Sequence, residues 1–327
     1  MPSIDRQFAV GLTALAGASV LAGAVTRRRG RRDRARRYLA HTRPNGSVVE
    51  VDVHLPPNAR RIVLFDNGLG TPHEYWDWVV SALPADIGYL RFNRPGYGLS
   101  SPVPGHDLSA HFALIDELRA RFLPSDAPVT LVGHSLGGYL VAAYAAFHGA
   151  GTGVERVVMV DATNVRQLGA SRGQETDLWY CQILLTEQAY AVTGLSALIP
   201  SLNRQKTFRP EVNRSTRAFL AHRRVWATAY REYRAAMEHP EPTGIKVPLD
   251  VITAQDNQGS NTDHLSVQAE FLAYSERSRH HVIEGSDHES VLSFEHHAAL
   301  VGRVIAEPFR DAEPEPKSEE SWEGVRP

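Results

Sequence analysis

Six short apolar runs recur along the chain, with helical patterns between them. They occupy residues 61–65, 89–92, 129–132, 157–160, 249–253 and 281–283. An apolar run of this length indicates a strand that is buried on both faces, and strands that alternate with helices pair in parallel. The sequence therefore predicts an α/β fold, in which helices cover both faces of a mostly parallel β-sheet.

Two β-like runs precede these strands, at residues 38–42 and 47–55. Asn45-Gly46 between them supplies the positive φ angles that a tight hairpin needs, so an antiparallel opening to the sheet is expected. Between residues 165 and 243 the strand pattern stops and helix-like segments with several Trp and Tyr residues take over. Structureless loops of that length are rare in compact domains, so this stretch is predicted to be a helical insertion.

Two of the helices have recognisable starts. Thr71 can cap the helix that follows the first buried strand, with Glu74 closing a capping box. Asp107 or Ser109 can cap a second helix that runs to about residue 123. The core is therefore assigned to residues 38–164 and 244–308, the insertion to 165–243, and a disordered acidic tail to 309–327.

The first 37 residues stand apart in composition. Residues 8–25 carry no charge and would span about 27 Å as a helix, just enough for a bilayer core, and residues 27–37 carry eight arginines and one aspartate. Because the positive charge follows the apolar run, we expect a membrane anchor with the remaining chain on the cytoplasmic side. A cleaved export signal or a disordered basic tail on a cytoplasmic protein is the alternative. Nucleic-acid binding is not expected, since base-reading or stacking groups do not accompany the arginines.

The most informative segment is residues 133–137, Gly-His-Ser-Leu-Gly, which follow a buried strand and precede a helical pattern. A serine on such a tight turn projects its hydroxyl away from the sheet, and the glycines let neighbouring backbones approach. The helix that begins at Leu136 points its free N–H groups at the same place, which favours an oxyanion. We therefore predict that Ser135 is a nucleophile and the Leu136 N–H an oxyanion donor. A glycine-rich turn with a serine by chance is the alternative.

This segment resembles the nucleophile turn of the α/β-hydrolase superfamily, and the resemblance extends from about residue 38 to residue 307. Residues 93–100, Asn-Arg-Pro-Gly-Tyr-Gly-Leu-Ser, are similar to that family's Asp-x-Pro-Gly-x-Gly-x-Ser segment, with Asn93 in place of aspartate. Where the family usually has His-Gly followed by the second oxyanion donor, this chain has Asn67-Gly68-Leu69. The resemblance thus implies that the Leu69 N–H is that donor.

A serine nucleophile needs a histidine base, and the chain has 15 histidines. His288 lies just after the last predicted strand and before a helix, where the family places its catalytic histidine. Asp256 follows the preceding strand and completes the order Ser135, Asp256, His288, so it is the expected acid. Asp161, which follows the predicted strand at residues 157–160, is the alternative, because some families place the acid at the end of that strand. Its other possible role is to brace the loop into the insertion.

The resemblance implies a serine hydrolase that cleaves an ester or related acyl bond of a hydrophobic small molecule or lipid through an acyl-enzyme on Ser135. An amidase, peptidase, thioesterase or cofactor-free perhydrolase would use the same residues, and a catalytically silent, membrane-tethered binding protein is a further alternative. Serine at this position argues against the family's epoxide hydrolases and haloalkane dehalogenases, which need aspartate. Cys181 is the single cysteine, so an intrachain disulfide is impossible, and neither cofactor nor metal is expected.

Overall fold

The fold is taken from a computed structural model of the chain, which describes residues 2–149, 151–165, 173–195, 207–255 and 262–310. Within these ranges, side chains are described from residue 16 onward and outside 173–180 and 262–263. Asp256 and the predicted acidic tail from residue 311 onward lie outside the described residues.

An eight-stranded sheet forms the centre of the protein. Its strands are β1 (Leu39–Thr42), β2 (Val48–His54), β3 (Arg61–Asp66), β4 (Ile87–Asn93), β5 (Val129–His134), β6 (Val154–Val160), β7 (Leu249–Gln255) and β8 (Ser278–Glu284). Their order is β1-β2-β4-β3-β5-β6-β7-β8, with antiparallel pairing of β1 to β2 and of β2 to β4, and parallel pairing elsewhere. All eight predicted strands are present, which confirms the α/β fold with a mostly parallel sheet.

The α-helices are numbered in chain order within the described residues. They are α1 (Pro2–Arg37), α2 (Asp77–Ala82), α3 (Leu108–Phe122), α4 (Leu136–His148), α5 (Gly173–Thr193), α6 (Pro210–Leu220), α7 (Arg223–Ala236), α8 (Thr262–Ala269), α9 (Ser290–Ser293) and α10 (Glu295–Ala306). Two 3₁₀ helices, His73–Trp76 and Glu270–Tyr274, complete the described helical elements.

Strand β3 shows why continuous apolar runs predicted doubly covered strands. Ile62 and Leu64 belong to one apolar core, with residues of α3 and α4. Val63 and Phe65, which point to the opposite face, belong to a second core with residues of α2 and α10. Because successive side chains of a strand alternate between faces, both faces of the sheet are buried.

One predicted helix start is confirmed and one is wrong. Asp107 caps α3, accepting a backbone N–H of the first turn at 2.8 Å. The capping box at Thr71 does not form, because Thr71 Oγ1 donates to the Gly68 carbonyl at 3.0 Å and Glu74 is bound by Arg34. A 3₁₀ turn starts this element instead, and α2 follows it.

The described part of the chain between β6 and β7 is helical, and α5, α6 and α7 are called the cap below. Trp226 and Tyr233 of α7 are buried in an apolar cluster with Phe219 of α6 and Tyr97 of the core. These aromatic side chains therefore serve the packing of the cap. Tyr190 differs, since it is 46% exposed at the end of α5.

Helix α1 packs against the cap through small residues. Ser19 Oγ donates to the Thr193 carbonyl at 2.8 Å, and a Cβ on Gly23 would lie 2.7 Å from the Cα of Gly194. A side chain at Gly30 would collide with Ala218. Such close backbone approach requires residues without bulk, which accounts for the Ala- and Gly-rich composition of this segment.

The described residues include no helix with both the length and the apolar character needed to cross a membrane. The prediction of a transmembrane anchor over residues 8–25 is therefore not supported.

Arg34, at the end of α1, enters a buried cluster of acids. Its guanidinium binds Glu50 of β2, and also Glu74 at 2.5 and 2.6 Å, while its own side chain is only 4% exposed. His73 Nε2 lies 2.9 Å from Glu50, and Ser215 of the cap donates to Glu74 at 2.6 Å. In the part of the chain that the structure describes, Glu50, His73 and Glu74 form the group of potential metal ligands. Their ligand atoms lie within 4.8 Å of one another, close enough to hold a metal ion. Arg34 supplies the positive charge that these carboxylates require.

Replacement of Arg34 by methionine is expected to lower the free energy of unfolding by about 3–5 kcal/mol, because two buried carboxylates lose their cation. Urea unfolding followed by circular dichroism measures the loss. Arg32→Met is the matched control in the same helix; its side chain is exposed, so a change within about 0.5 kcal/mol is expected. Equal losses from the two variants would contradict a role for the buried ion pairs.

Candidate active site

Ser135 lies on a sharp turn between β5 and α4, with φ 54° and ψ −124°. This left-handed conformation is costly for a residue with a side chain, so the surroundings must hold it. The space around the turn leaves room only for glycine: a Cβ on Gly133 would be 2.1 Å from the Gly137 carbonyl oxygen, and one on Gly137 would be 2.5 Å from that of Asn67. The predicted strand, turn and helix around Ser135 are therefore all present.

His288 lies on the loop between β8 and α9 and is held by Asp161 at the end of β6. The distance from His288 Nδ1 to Asp161 Oδ2 is 2.6 Å, and this carboxylate is almost fully buried while the imidazole is half-exposed. Asp161 has φ 42°, a conformation that aspartate tolerates better than most residues. The imidazole thus donates from Nδ1 and leaves Nε2 free to accept a proton.

Among the described residues, Asp161 is the carboxylate that contacts His288. Asp256, which the sequence favours as the acid, lies outside the described residues, so its role stays a prediction. Asp161 has a second histidine partner that sequence reasoning does not identify: His264 Nε2, on α8, lies 2.8 Å from Asp161 Oδ1. The same oxygen accepts the backbone N–H of Ala254 at 3.0 Å. Both oxygens of the buried carboxylate are therefore hydrogen-bonded.

These contacts favour the charged form of both Asp161 and His288, so the two pKa values move in opposite directions. Burial acts to raise the pKa of Asp161, but hydrogen bonds from His264 and His288 outweigh it, so this pKa is lowered and the carboxylate stays charged. Desolvation acts to lower the pKa of His288, but the hydrogen bond and negative charge of Asp161 outweigh it, so this pKa is raised above 6.5. His288 is therefore a stronger base than an isolated imidazole.

His134, the neighbour of Ser135, fixes the loop that carries His288. Its Nε2 lies 2.9 Å from the backbone oxygen of His288, and the two rings are 4.7 Å apart. Burial, followed by the charge of His288, lowers the pKa of His134 to about 4, so its ring is neutral and donates from Nε2. This contact brings the histidine loop to the residue adjoining Ser135.

In the described structure, Ser135 Oγ has Thr163 Oγ1 as its hydrogen-bond partner, at 3.5 Å, and forms no hydrogen bond with His288. The backbone of Ser135 is bound to the end of β6 on both sides, through the Val160 carbonyl at 3.1 Å and the Thr163 N–H at 3.0 Å. Asp161 lies between these two residues. Catalytic hydrogen bonds are often long or misaligned before substrate binds, so this arrangement is compatible with a serine, histidine and aspartate triad.

The loop after β3, which carries Leu69, lies beside the nucleophile. A Cβ on Gly68 would be 3.3 Å from the Cβ of Ser135 and 3.1 Å from the His134 ring. Leu136 is the first residue of α4, so its N–H has no acceptor within the helix. The loop that carries Leu69 and the start of α4 therefore both lie beside Ser135, and the oxyanion roles of the Leu69 and Leu136 N–H groups stay predictions.

Arg94 holds this loop in place and ties it to the cap. Its guanidinium donates to Asp66 Oδ1 at 2.6 Å, to the Asn67 carbonyl, and to the Gly68 carbonyl at 3.2 Å. It also binds Glu232 of α7 through two contacts of 2.8 Å. Sequence reasoning misses Arg94 and Glu232. The signal that could have identified them is Glu232 itself, an acid among the buried, mostly apolar positions of α7.

The presence of Asn93 where the resemblance leads one to expect aspartate has a local explanation. Asn93 Nδ2 donates to Glu50 at 2.9 Å, and its Oδ1 accepts the backbone N–H of His73 at 2.9 Å. An aspartate at this position would place a second negative charge against Glu50 in a buried site. The amide therefore suits the cluster that Arg34 completes.

A cavity with about 600 Å³ of empty space, part of it open solvent, adjoins Leu136. Its apolar walls include Leu108, Leu114, Leu136 and Leu140. Polar side chains, His106, His239, Arg94 and Glu232 among them, also line it. Leu136 lines this cavity and is also the residue that follows Ser135 on the nucleophile turn.

The sequence profile of the alpha/beta hydrolase family matches residues 62–303. The chain belongs to the alpha/beta hydrolase family. The match covers the described strands from β3 to β8 and the residues that surround Ser135, His288 and Asp161. A search of curated proteins by sequence finds no match.

Solved structures of other alpha/beta hydrolases share the fold. The enol-lactonase from Burkholderia xenovorans LB400 has 23% identity and a TM-score of 0.58, over 82% of this chain and 98% of that one. The Cif epoxide hydrolase from Acinetobacter nosocomialis has 14% identity and a TM-score of 0.66, over 89% and 95%. A hydrolase from Pseudomonas aeruginosa has 21% identity and a TM-score of 0.59, over 83% and 99%. At these identities the likeness is one of fold, and the named activities differ in the bond that is cleaved.

Proposed function

We propose that this alpha/beta hydrolase is a serine esterase that cleaves an ester bond of a hydrophobic small-molecule or lipid substrate. The observation that supports the proposal is that Asp161 holds His288 at the end of β6, the same strand end to which the backbone of Ser135 is hydrogen-bonded. Ser135 lies on a left-handed turn, and His288 is held at 2.6 Å by the buried Asp161. Asp256 takes the role of the acid only if Asp161 is dispensable.

In the proposed reaction, Ser135 Oγ attacks the ester carbonyl carbon while His288 Nε2 takes the hydroxyl proton. The negative charge that develops on the carbonyl oxygen is stabilised by the N–H groups of Leu69 and Leu136. Collapse of the tetrahedral intermediate breaks the bond to the alkoxide, which leaves with the proton from His288. Water then attacks the acyl-enzyme by the same route and releases the acid.

The cavity beside Leu136 supports a preference for uncharged, apolar groups. Four leucines line it, and Arg94 and Glu232 neutralise each other through their ion pair. Burial lowers the pKa of both His106 and His239, so these side chains present neutral rings. Arg43, which also lines the cavity, is paired with Glu117, so an anionic acyl group would lose its hydration there without gaining a counter-charge.

A fluorophosphonate probe and a panel of p-nitrophenyl esters of graded acyl length test the proposal. We expect the probe to label the protein, with the modified peptide located at Ser135 by mass spectrometry. We also expect ester turnover that favours apolar acyl groups over acyl groups ending in a carboxylate. A para-nitrostyrene oxide assay is the matched control for the epoxide-cleaving relatives.

Failure of both labelling and ester hydrolysis in a folded sample would favour a catalytically silent binding protein. Turnover of the epoxide with none of the esters would also overturn the proposal. Anilide or thioester turnover that exceeds ester turnover would assign the same residues to an amidase or a thioesterase.

The activity is expected to fall at acidic pH. His288 must be neutral to take the serine proton, and Asp161 raises its pKa above 6.5, so kcat/KM should decline as the pH drops through that raised pKa. Replacement of Asp161 by asparagine removes the negative charge and should move the decline to lower pH. Profiles of kcat/KM against pH for the two proteins check this, and coincident acidic limbs would contradict it.

His264 is expected to act as a positioning residue through Asp161. His264→Leu removes the donor to Asp161 Oδ1, so kcat should fall by about 10- to 100-fold with little change in KM. His264→Gln restores an N–H donor and should recover much of the rate. The acidic limb of the pH profile should also shift in the leucine variant, which a purely structural defect would leave in place.

A further inference from the structure

Helix α1 has two faces of different character from residue 16 onward. Ser19, Gly23, Arg27, Gly30 and Arg34 recur every three or four residues, which places them on one side of the helix. Their contacts are with the cap and with the acid cluster. This face is therefore committed to packing within the molecule.

The opposite face of α1 points to solvent. Leu21, Val25, Arg28, Arg32 and Arg36 follow one another along this face at the same three- or four-residue spacing, and all are exposed. Leu21 is 65% exposed, which is high for a large aliphatic side chain. None of the three arginines forms an ion pair with another described residue. The stripe thus combines free positive charge with uncovered apolar surface.

The apolar part of this stripe continues onto the cap. The Ser19 bond to Thr193 brings the end of α5 against α1, and Val20, Tyr190 and Val192 are exposed there. Of the nine large apolar side chains that are exposed in the described residues, six lie on these two helices: Val20, Leu21, Val25, Leu185, Tyr190 and Val192. Scattered exposed apolar residues are ordinary, whereas this concentration beside a row of arginines marks an interaction surface.

We propose that this surface, the exposed face of α1 with the end of α5, binds an anionic phospholipid bilayer by lying on it. Guanidinium groups attract the lipid phosphates, and the aliphatic and tyrosine side chains enter the interface between headgroups and acyl chains. Nucleic acid would use the arginines but would gain little from exposed leucine and valine. The proposal does not depend on the activity proposed above.

The surface would also set the orientation of the protein. Helix α1 packs on α5 and α6, so the cap, rather than the opposite end of the sheet, would lie nearest the lipid. Three arginines near an anionic surface form a reversible, salt-sensitive attachment.

Co-sedimentation of the full chain with vesicles tests the proposal. The wild type should sediment with phosphatidylcholine vesicles that contain phosphatidylglycerol and stay in solution with phosphatidylcholine alone. The Arg28→Gln, Arg32→Gln, Arg36→Gln triple variant should lose at least about tenfold in partitioning. The Leu21→Ser, Val25→Ser variant should lose the part of the binding that resists salt.

A second triple variant of equal charge change, Arg60→Gln, Arg121→Gln, Arg303→Gln, is the control, since these side chains are exposed outside α1 and the cap. Thermal unfolding of all variants checks that they fold. An equal loss in the control would assign binding to net charge and overturn the proposed surface. Absence of wild-type binding to the phosphatidylglycerol vesicles would overturn the proposal, whether or not the protein binds duplex DNA. Wild-type-like binding by the Leu21→Ser, Val25→Ser variant would overturn it as well.

Discussion

Replacement of Ser135 by alanine is expected to lower kcat/KM for the best ester by at least about 10⁴-fold. The hydroxyl is the attacking group in the proposed reaction, and alanine leaves the oxyanion donors and the cavity in place. Residual activity should therefore reflect only binding and oxyanion stabilisation. Initial rates with the preferred p-nitrophenyl ester measure the loss.

Thr163→Val is the matched control, because Thr163 Oγ1 is the hydrogen-bond partner of Ser135 at 3.5 Å. Valine keeps the shape of threonine and removes its hydroxyl, so a loss of no more than about tenfold is expected. A Ser135→Ala protein that still hydrolyses esters at the wild-type rate would refute the assignment of the nucleophile. Activity that depends on Thr163 instead would do the same.

Asp161→Asn is expected to lower kcat by about 10³- to 10⁴-fold, since an amide can favour the wrong tautomer of His288 and cannot stabilise the charged imidazole. Asparagine also tolerates the left-handed backbone that this position adopts, with φ 42°, so the fold should persist. The same ester assay measures the effect, with circular dichroism to check folding.

Asp256→Asn separates the two candidate acids. If Asp161 is the acid, this variant should keep its rate within a few-fold of the wild type. If the large loss falls on Asp256→Asn and Asp161→Asn stays active, the acid is the one that the sequence favours, and the contact between Asp161 and His288 has another purpose. The pair of variants therefore decides the point in either direction.

The sheet was predictable because its signal is local. Strands β3, β5 and β6 contain runs of apolar residues, and residues such as Val63 and Leu64 are buried on opposite faces, so the pattern identifies the layer arrangement. Strand β8 gives a weaker signal, because Ile283 is its one buried residue. The turn at Ser135 was predictable for a similar reason, because glycines at 133 and 137 meet a steric requirement that no other residue satisfies.

The role of helix α1 was not predictable in this way. An uncharged stretch rich in alanine and glycine suits a marginal membrane span, and it equally suits close packing against another helix. The deciding contacts are made with Thr193, Gly194 and Ala218, which are far away in the sequence. The pairing of Arg34 with Glu50 and Glu74 depends in turn on the fold as a whole.

The acid shows a different limit. Asp161 and Asp256 each follow a strand, β6 and β7, and these two strands are neighbours in the sheet. Sequence order alone does not say which of the two carboxylates reaches His288, because that depends on backbone direction at the strand ends. The φ angle of Asp161 turns its side chain towards the histidine loop, and no local sequence pattern predicts that angle.

The packing of α1 has a consequence for biosynthesis. Helix α1 leaves the ribosome before the cap, and Ala191, Thr193 and Ala221, which accept its hydrogen bonds, are translated more than 150 residues later. Until the cap emerges, the part of the helix from Ser19 to Gly30 lacks the surface on which it packs. Its arginines and aliphatic side chains are meanwhile open to chaperones, and the docking of α1 on the cap must wait for residues that are translated much later.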